Sequence, residues 1–134
     1  MNWKLIFLLS LFGLAMGIAT VFFIPSNIEP FCWLVIFVLS AYIIATQAPG
    51  QYFLHGLLVS MVNSVWITAA HVLLFDRYIA NHAREAAMME SVPISPRLMM
   101  VVTGPLIGVV SGLVLGLFAF IASKLFGARK AVPR

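Results

Sequence analysis

Four long runs of apolar residues, separated by short polar or proline-containing segments, dominate the chain. They cover approximately residues 4–24, 30–47, 51–75 and 96–126. A helix of about 20 residues is about 30 Å long, which matches the thickness of the hydrocarbon core of a bilayer. The pattern therefore predicts an all-α fold, in which residues 1–134 form a single domain of four transmembrane helices.

The segments between the runs predict where the helices begin and end. Pro30 suits the first turn of the second helix, and Pro96, preceded by Ser95, suits the first turn of the fourth. Residues 76–92 are rich in helix-forming side chains and contain neither glycine nor proline. We expect this outer segment to continue the third helix or to lie on the membrane surface as a separate amphipathic helix.

Composition supports a membrane environment. Hydrophobic residues make up 63% of the chain and charged residues 9%, and the mean hydropathy is +1.08. A chain of 134 residues cannot enclose so much apolar surface in water. The first apolar run is also longer than the roughly 7–15 residues of a signal-peptide core, so we expect it to be retained as a transmembrane helix.

The distribution of positive charge predicts the topology. Four spans place both termini on one side of the membrane, where five lysine and arginine residues lie, against three on the other side. The positive-inside rule then predicts cytoplasmic termini, with residues 127–134 as a basic cytoplasmic tail. The net charge of +4 is thus interpreted as a topology signal and not as a nucleic-acid interface. The five are Lys4, Lys124, Arg129, Lys130 and Arg134, and the three are Arg77, Arg84 and Arg97.

Several chemistries are excluded or disfavoured. The single cysteine, Cys32, rules out an intrachain disulfide, a CxxC redox pair and a thiolate zinc site. The sequence contains no GxSxG, HExxH or phosphate-loop motif, so catalysis is not indicated. No acidic or basic residue lies deep in any span, which disfavours proton- or cation-coupled transport.

The third run differs from the others because polar side chains follow one face of it. On a helix, Ser60, Asn63, Ser64 and His71 lie close to one line, and we call these four residues the polar stripe. Polar groups in hydrocarbon need partners, so the stripe must face other helices or water. It predicts either hydrogen bonds that hold the bundle together or the lining of a pocket or narrow pore.

Glycines at intervals of four residues mark the last helix, in the pattern of a glycine zipper. Such spacing lets another helix approach closely, and we expect the first helix to be the partner through its own GxxxG pair. The same surface would also suit contact between subunits. The residues concerned are Gly13, Gly17, Gly104, Gly108, Gly112 and Gly116.

The outer segment carries the residues that best suit a metal ion. His82 and Glu85 are three positions apart on a predicted helix, and Glu29 is expected on the same side of the membrane. Imidazole and carboxylate groups are common ligands of zinc and other divalent metals. A solvated amphipathic helix explains the same residues without a metal.

Two stretches, residues 22–30 and the glycine-bearing last helix, resemble segments of small bacterial membrane proteins. That resemblance implies the bacterial inner membrane as the location. Lipid is then one partner, and a second copy of the chain or another membrane protein is the other.

Three functional hypotheses follow. The first is a non-catalytic membrane protein that self-associates through its glycine-rich helices or docks on a membrane partner. The second is a small channel or carrier for a neutral or weakly charged solute, lined by the polar stripe. The third is a metal-binding protein or metal-dependent membrane enzyme that uses His82, Glu85 and Glu29.

Overall fold

The computed structural model describes residues 1–127. Within this range the chain forms six helices: α1 Trp3–Phe22, α2 Glu29–Gln47, α3 Tyr52–Leu73, α4 Phe75–Asn81, α5 Ala83–Glu90 and α6 Pro96–Phe126. Four of them, α1, α2, α3 and α6, are long and apolar enough to cross a membrane. This confirms the all-α fold with four membrane-length helices. The predicted basic tail, apart from Gly127, lies outside the described residues.

The outer segment forms two short helices and does not continue α3. The helix breaks first at Leu74 (φ −108°, ψ 34°) and again at His82 (φ −135°, ψ 65°). These breaks turn α4 and α5 back over one end of the bundle. We call this end, which also holds the turn between α1 and α2, the α4–α5 end, and we call the opposite end the Asn2 end.

Helix α3 is the centre of the bundle. It packs against α1 on one side and against α6 on another, while α2 packs chiefly on α6. The expectation that α1 and the last helix meet through their glycines is wrong, since both sets of glycines face α3. A methyl group at Gly13 would lie 2.6 Å from Asn63 Cα, and one at Gly116 would lie 2.7 Å from the Phe53 carbonyl oxygen.

The reason lies in the small side chains of α3 itself. A methyl group at Gly56 of α3 would lie 2.7 Å from the Gly116 Cα, so the two backbones touch. One and two turns further on, Ser60 and Ser64 keep that side of α3 narrow, and Ser64 contacts Gly108 directly. Close approach of this kind supplies the dispersion contacts that hold helices together in lipid, where the hydrophobic effect between helices is absent.

The Asn2 end of the bundle is tightly packed. The side chains of Ile6, Ile44, Val59 and Leu115 are completely buried there and belong to one core cluster. His55 is also completely buried: the Asn2 backbone N–H donates to its Nε2 (3.1 Å), and its Nδ1 donates to the Gln51 carbonyl (2.9 Å). The start of α1 is thereby fastened to the start of α3.

Helix α2 is packed at one end only. Its second half carries small residues that are buried, including Ser40, Ala41 and Ala45. Its first half carries large residues that remain exposed, including Phe31 and Leu34. Small side chains let the second half of α2 approach the other helices, whereas in the first half, where no residue is buried, large aromatic rings lie on the side that faces α3 and α6. A gap therefore opens beside the first half of α2.

A candidate binding cavity within the membrane

A cavity of about 730 Å³ fills this gap between α2, α3 and α6. It occupies the half of the bundle near the α4–α5 end. Its walls are mainly apolar, with Trp33 and Phe37 from α2, Ile67 from α3, and Ile107 and Phe118 from α6. Polar side chains from α3 lie along one wall, so one side of the cavity is polar and the other sides are mainly apolar.

The cavity is open at the side and closed at the bottom. Leu34, Ile107 and Val110 line it and are also 54%, 59% and 64% exposed, which places an opening between α2 and α6 at the level of the hydrocarbon. Its deepest lining residues are Ser60 and Phe118. Beyond them the packed core of the Asn2 end fills the bundle. The cavity is therefore a blind chamber and not a continuous pore.

All four residues of the polar stripe line the cavity. Asn63 is only 2% exposed, and its Oδ1 accepts a hydrogen bond from the Gly13 N–H at 3.0 Å. Its Nδ2 is buried and has no partner within residues 1–127. The Ser64 hydroxyl donates to the Met61 carbonyl at 2.6 Å, one turn back on its own helix. The stripe thus serves partly as helix contact and partly as cavity wall.

His71 joins the stripe to α1 through Thr20. The Thr20 hydroxyl donates its one proton to the Met16 carbonyl (2.7 Å), so its oxygen accepts from His71 Nε2 at 2.8 Å. In the neutral imidazole the other ring nitrogen, Nδ1, is then an acceptor. His71 lines the cavity, and its ring orientation is fixed from the α1 side.

Three rings form a continuous stack at the α4–α5 end. Tyr78 lies between His71, at 4.3 Å between ring centroids, and His82, at 4.1 Å. The breaks at Leu74 and His82 produce this stack, which a straight helix would not allow. His82 Nδ1 donates to the Tyr78 carbonyl (2.9 Å), and its Nε2 is buried without a partner within residues 1–127. Burial and the nearby carboxylates of Glu85 and Glu29 raise the pKa of Tyr78 to about 12.

The two carboxylates predicted as metal ligands have other partners. Glu29 Oε1 accepts from Trp33 Nε1 at 3.2 Å, and Glu85 Oε1 accepts from the Ser26 hydroxyl at 2.7 Å. The hydrogen bond from Ser26 holds the pKa of Glu85 below its usual value. Within the described residues no three histidine, cysteine, aspartate or glutamate side chains come together to hold a metal ion. The metal hypothesis for His82, Glu85 and Glu29 therefore lacks a formed ligand set.

Sequence reasoning missed the contribution of α2 and α6 to the cavity. The rings of Trp33 and Phe37 meet edge to face at 6.0 Å, and Phe37 meets Phe118 in the same way at 6.4 Å. These contacts form an aromatic wall opposite the polar stripe. The change from large to small side chains along α2 is the sequence signal that predicts a gap at one end.

No protein-family model, curated protein or solved structure matches this chain.

Proposed function

We propose that the protein binds a small amphipathic molecule inside the membrane, in the cavity between α2, α3 and α6. The supporting observation is the cavity itself, about 730 Å³ in volume, with the polar stripe on one wall and aromatic and aliphatic side chains on the others. Pockets for small molecules usually measure about 300–1,000 Å³ and combine apolar walls with a few polar groups. Of the three hypotheses, the channel or carrier lined by the polar stripe shares this binding step, and we place it ahead of the other two.

The opening indicates how such a molecule enters. Leu34 and Val110, which border it, are apolar and exposed to lipid. A ligand that dissolves in the bilayer can therefore enter sideways, without crossing a polar surface. Its apolar part replaces lipid against the aromatic wall, while its polar part hydrogen-bonds to the stripe.

The closed floor favours binding over free passage. A channel would need a continuous path, and here the core around Val59 and Leu115 blocks it. A carrier would need a second conformation that is open at the Asn2 end. Binding is the step that both a carrier and a simple receptor require, and it is the function that we propose.

A matched pair of cavity variants tests the proposal. Val114 lines the cavity and Val109 does not, yet both lie on α6 and are 43% and 41% exposed. Purified protein in detergent is mixed with decylglycerol, decyltrimethylammonium or decyl sulfate, which share one chain and differ in head group. Native mass spectrometry then measures the one-to-one adduct.

We expect a saturable adduct with at least one probe in the wild-type protein. Val114→Trp fills the cavity and should lower the adduct population about tenfold or more, because it removes the space for the chain. Val109→Trp should leave it unchanged. Equal adduct formation in both variants, or none with any probe in the wild-type protein, would overturn the proposal.

Self-association is a separate hypothesis, which the same spectra measure. Seven membrane glycines, Gly13, Gly17, Gly56, Gly104, Gly108, Gly112 and Gly116, face other helices of the same chain. Their contacts support intramolecular packing, so a dimer would have to use lipid-facing side chains instead. A dimer population that persists after dilution in detergent would support this second role.

We also propose the bacterial inner membrane as the location, with both termini in the cytoplasm. The excess of lysine and arginine in the two terminal segments, counted along the sequence, supports this orientation. Ser91 and Gln47 are exposed at opposite ends and can each be changed to cysteine in a Cys32→Ser background. In intact cells an impermeant maleimide should label Ser91→Cys and not Gln47→Cys. The reverse pattern would invert the topology.

A further inference from the structure

One carboxyl group lines the cavity. Among its lining residues Glu29 is the only aspartate, glutamate, lysine or arginine. It lies in the first turn of α2, at the α4–α5 end of the cavity. Within residues 1–127 Glu29 forms no ion pair. The group that donates a hydrogen bond to it, Trp33 Nε1–H, is neutral. A negative charge at the edge of an apolar chamber is thus left without a positive partner.

A second carboxylate, that of Glu85, lies near Glu29 at this end of the cavity. Tyr78 and Ser26 line the same end of the cavity, and Ser26 also holds the carboxylate of Glu85. The pKa of Tyr78 is raised first by burial and then by the charges of Glu85 and Glu29, which places both carboxylates close to this end of the cavity. An anionic head group would therefore meet repulsion from Glu29 and Glu85.

The aromatic groups at this end suit a cation. Both faces of the Tyr78 ring are covered by His71 and His82, so Tyr78 presents its edge and hydroxyl group. Trp33 lines the cavity directly beside Glu29. The indole is the aromatic ring that attracts cations most strongly, and a neighbouring carboxylate adds to that attraction.

We propose that the ligand carries one organic cation, an ammonium group, which binds against the Glu29 carboxylate and the adjoining Trp33 ring. Its apolar part then extends along Phe37 and Phe118 toward the floor. This inference depends on the proposed binding function and adds the class of ligand. The distance along α3 from His71 to Ser60 is about 16 Å, enough to accommodate an alkyl chain of medium length.

A simpler role for Glu29 must be separated from this one. A carboxylate in the first turn of a helix interacts favourably with the helix dipole, whatever else it does. If this were its only role, Glu29→Gln would lower the thermal stability and the binding of every probe alike. Ligand recognition instead predicts a loss that depends on the charge of the probe.

The three decyl probes described above distinguish these roles. Decyltrimethylammonium keeps its charge at any pH, decylglycerol has none and decyl sulfate is negative. In the wild-type protein we expect the cation to bind about tenfold more tightly than the neutral probe, which corresponds to one favourable charge contact. Decyl sulfate should bind most weakly.

Glu29→Gln retains a side-chain oxygen that can accept from Trp33, so the local structure is preserved. We expect this variant to reduce the affinity for decyltrimethylammonium to the level of decylglycerol. Its affinity for decylglycerol should be unchanged. Glu90→Gln removes the same charge at the same end of the bundle but outside this cavity. It should change neither the affinity for the cation nor that for decylglycerol. Trp33→Leu should lower the affinity for the cation more than that for the neutral probe.

The outcomes separate the inference from the proposed function. If the neutral and cationic probes bind with equal affinity, and Val114→Trp abolishes the binding of both, the proposed binding function stands. The inference that the ligand is a cation is then overturned. A preference for decyl sulfate, or an equal loss of all probes in Glu29→Gln, also overturns it. If no probe binds the wild-type protein, both proposals fail together.

Discussion

The two halves of the bundle are built from the same four long helices and differ in how one of them packs. In both halves α3 and α6 are joined through glycines, from Gly104 near the α4–α5 end to Gly116 near the Asn2 end. Only α2 changes its position, packed at the Asn2 end and held away at the other. The side chains of one peripheral helix thus determine whether a half is closed or hollow.

The molecule consists of a frame and a peripheral wall. The frame consists of α1, α3 and α6, whose contacts involve backbone atoms and tolerate no added volume. The wall is the first half of α2, whose large side chains contact the cavity and lipid. Substitutions should therefore have very different effects in the two regions.

The largest effect is expected where two backbones touch. A leucine at Gly116 would clash with the Phe53 carbonyl, which lies 2.7 Å from the position of a single methyl group, and no flexible side chain can move aside. We expect Gly116→Leu to reduce the free energy of unfolding by about 3 kcal/mol or more. Thermal unfolding in detergent measures this change.

Val109→Leu provides the control, because it introduces the same residue on the lipid-facing side of α6. It should leave the melting temperature nearly unchanged. If Gly116→Leu folded normally and lost only a dimer, the frame would be intermolecular and not internal.

The next effect compares the two halves of α2 directly. Ile44 is completely buried and Leu34 is 54% exposed. Ile44→Ala should cost about 2 kcal/mol through lost packing, whereas Leu34→Ala should cost less than about 0.5 kcal/mol. Chemical denaturation of both variants measures the two losses in free energy of unfolding. Equal losses would contradict the difference between the two halves of α2.

A smaller effect is expected at the boundary between frame and cavity. Asn63→Ala removes the acceptor of the Gly13 N–H and should cost about 1 kcal/mol, as is usual for hydrogen bonds between membrane helices. Ser111→Ala is the matched control, because Ser111 lines the cavity and bonds only to the Ile107 carbonyl of its own helix. A loss of stability in the control as large as that in Asn63→Ala would argue against a special role for the α1–α3 bond.

The smallest effect concerns the α4–α5 end. Because the pKa of Glu85 is lowered in the folded protein, its contact with Ser26 stabilises the fold at neutral pH and is lost as the pH falls through that lowered value. Ser26→Ala should return the pKa toward 4.5, as a carbon-13 NMR titration of the carboxyl group would show. Ser91→Ala, which removes a hydroxyl bonded within the chain at Met88, should leave the titration unchanged.

The frame was partly predictable and the cavity was not. Periodicity and length predicted the four spans, because lipid imposes one geometry on any apolar run of about 20 residues. The glycines predicted close contact but not its partner: no feature of Gly13 or Gly116 alone indicates that each would face α3. The position of His82 was not predicted either, because the helix breaks at Leu74 and His82 are not marked by a glycine or a proline.

The cavity is a space that side chains leave unfilled between the helices. A sequence determines such a space only through the sizes of side chains that lie far apart along the chain. Ser60, Asn63, Ser64 and His71 could be assigned to one face of a helix, but not to contact with Trp33 or Phe118. The three walls come from separate parts of the chain. Only the packing of α2 against α6 brings them together.

Glu29 and Trp33 lie four residues apart on one helix and are joined by a hydrogen bond, so they form a single unit. Any change in the angle of α2 would carry both groups together and alter only their distance from α3 and α6. The proposed cation site would then keep its carboxylate and its indole side by side while the width of the chamber changed. A site of this kind would discriminate poorly between ligands of different girth and strongly between ligands of different charge.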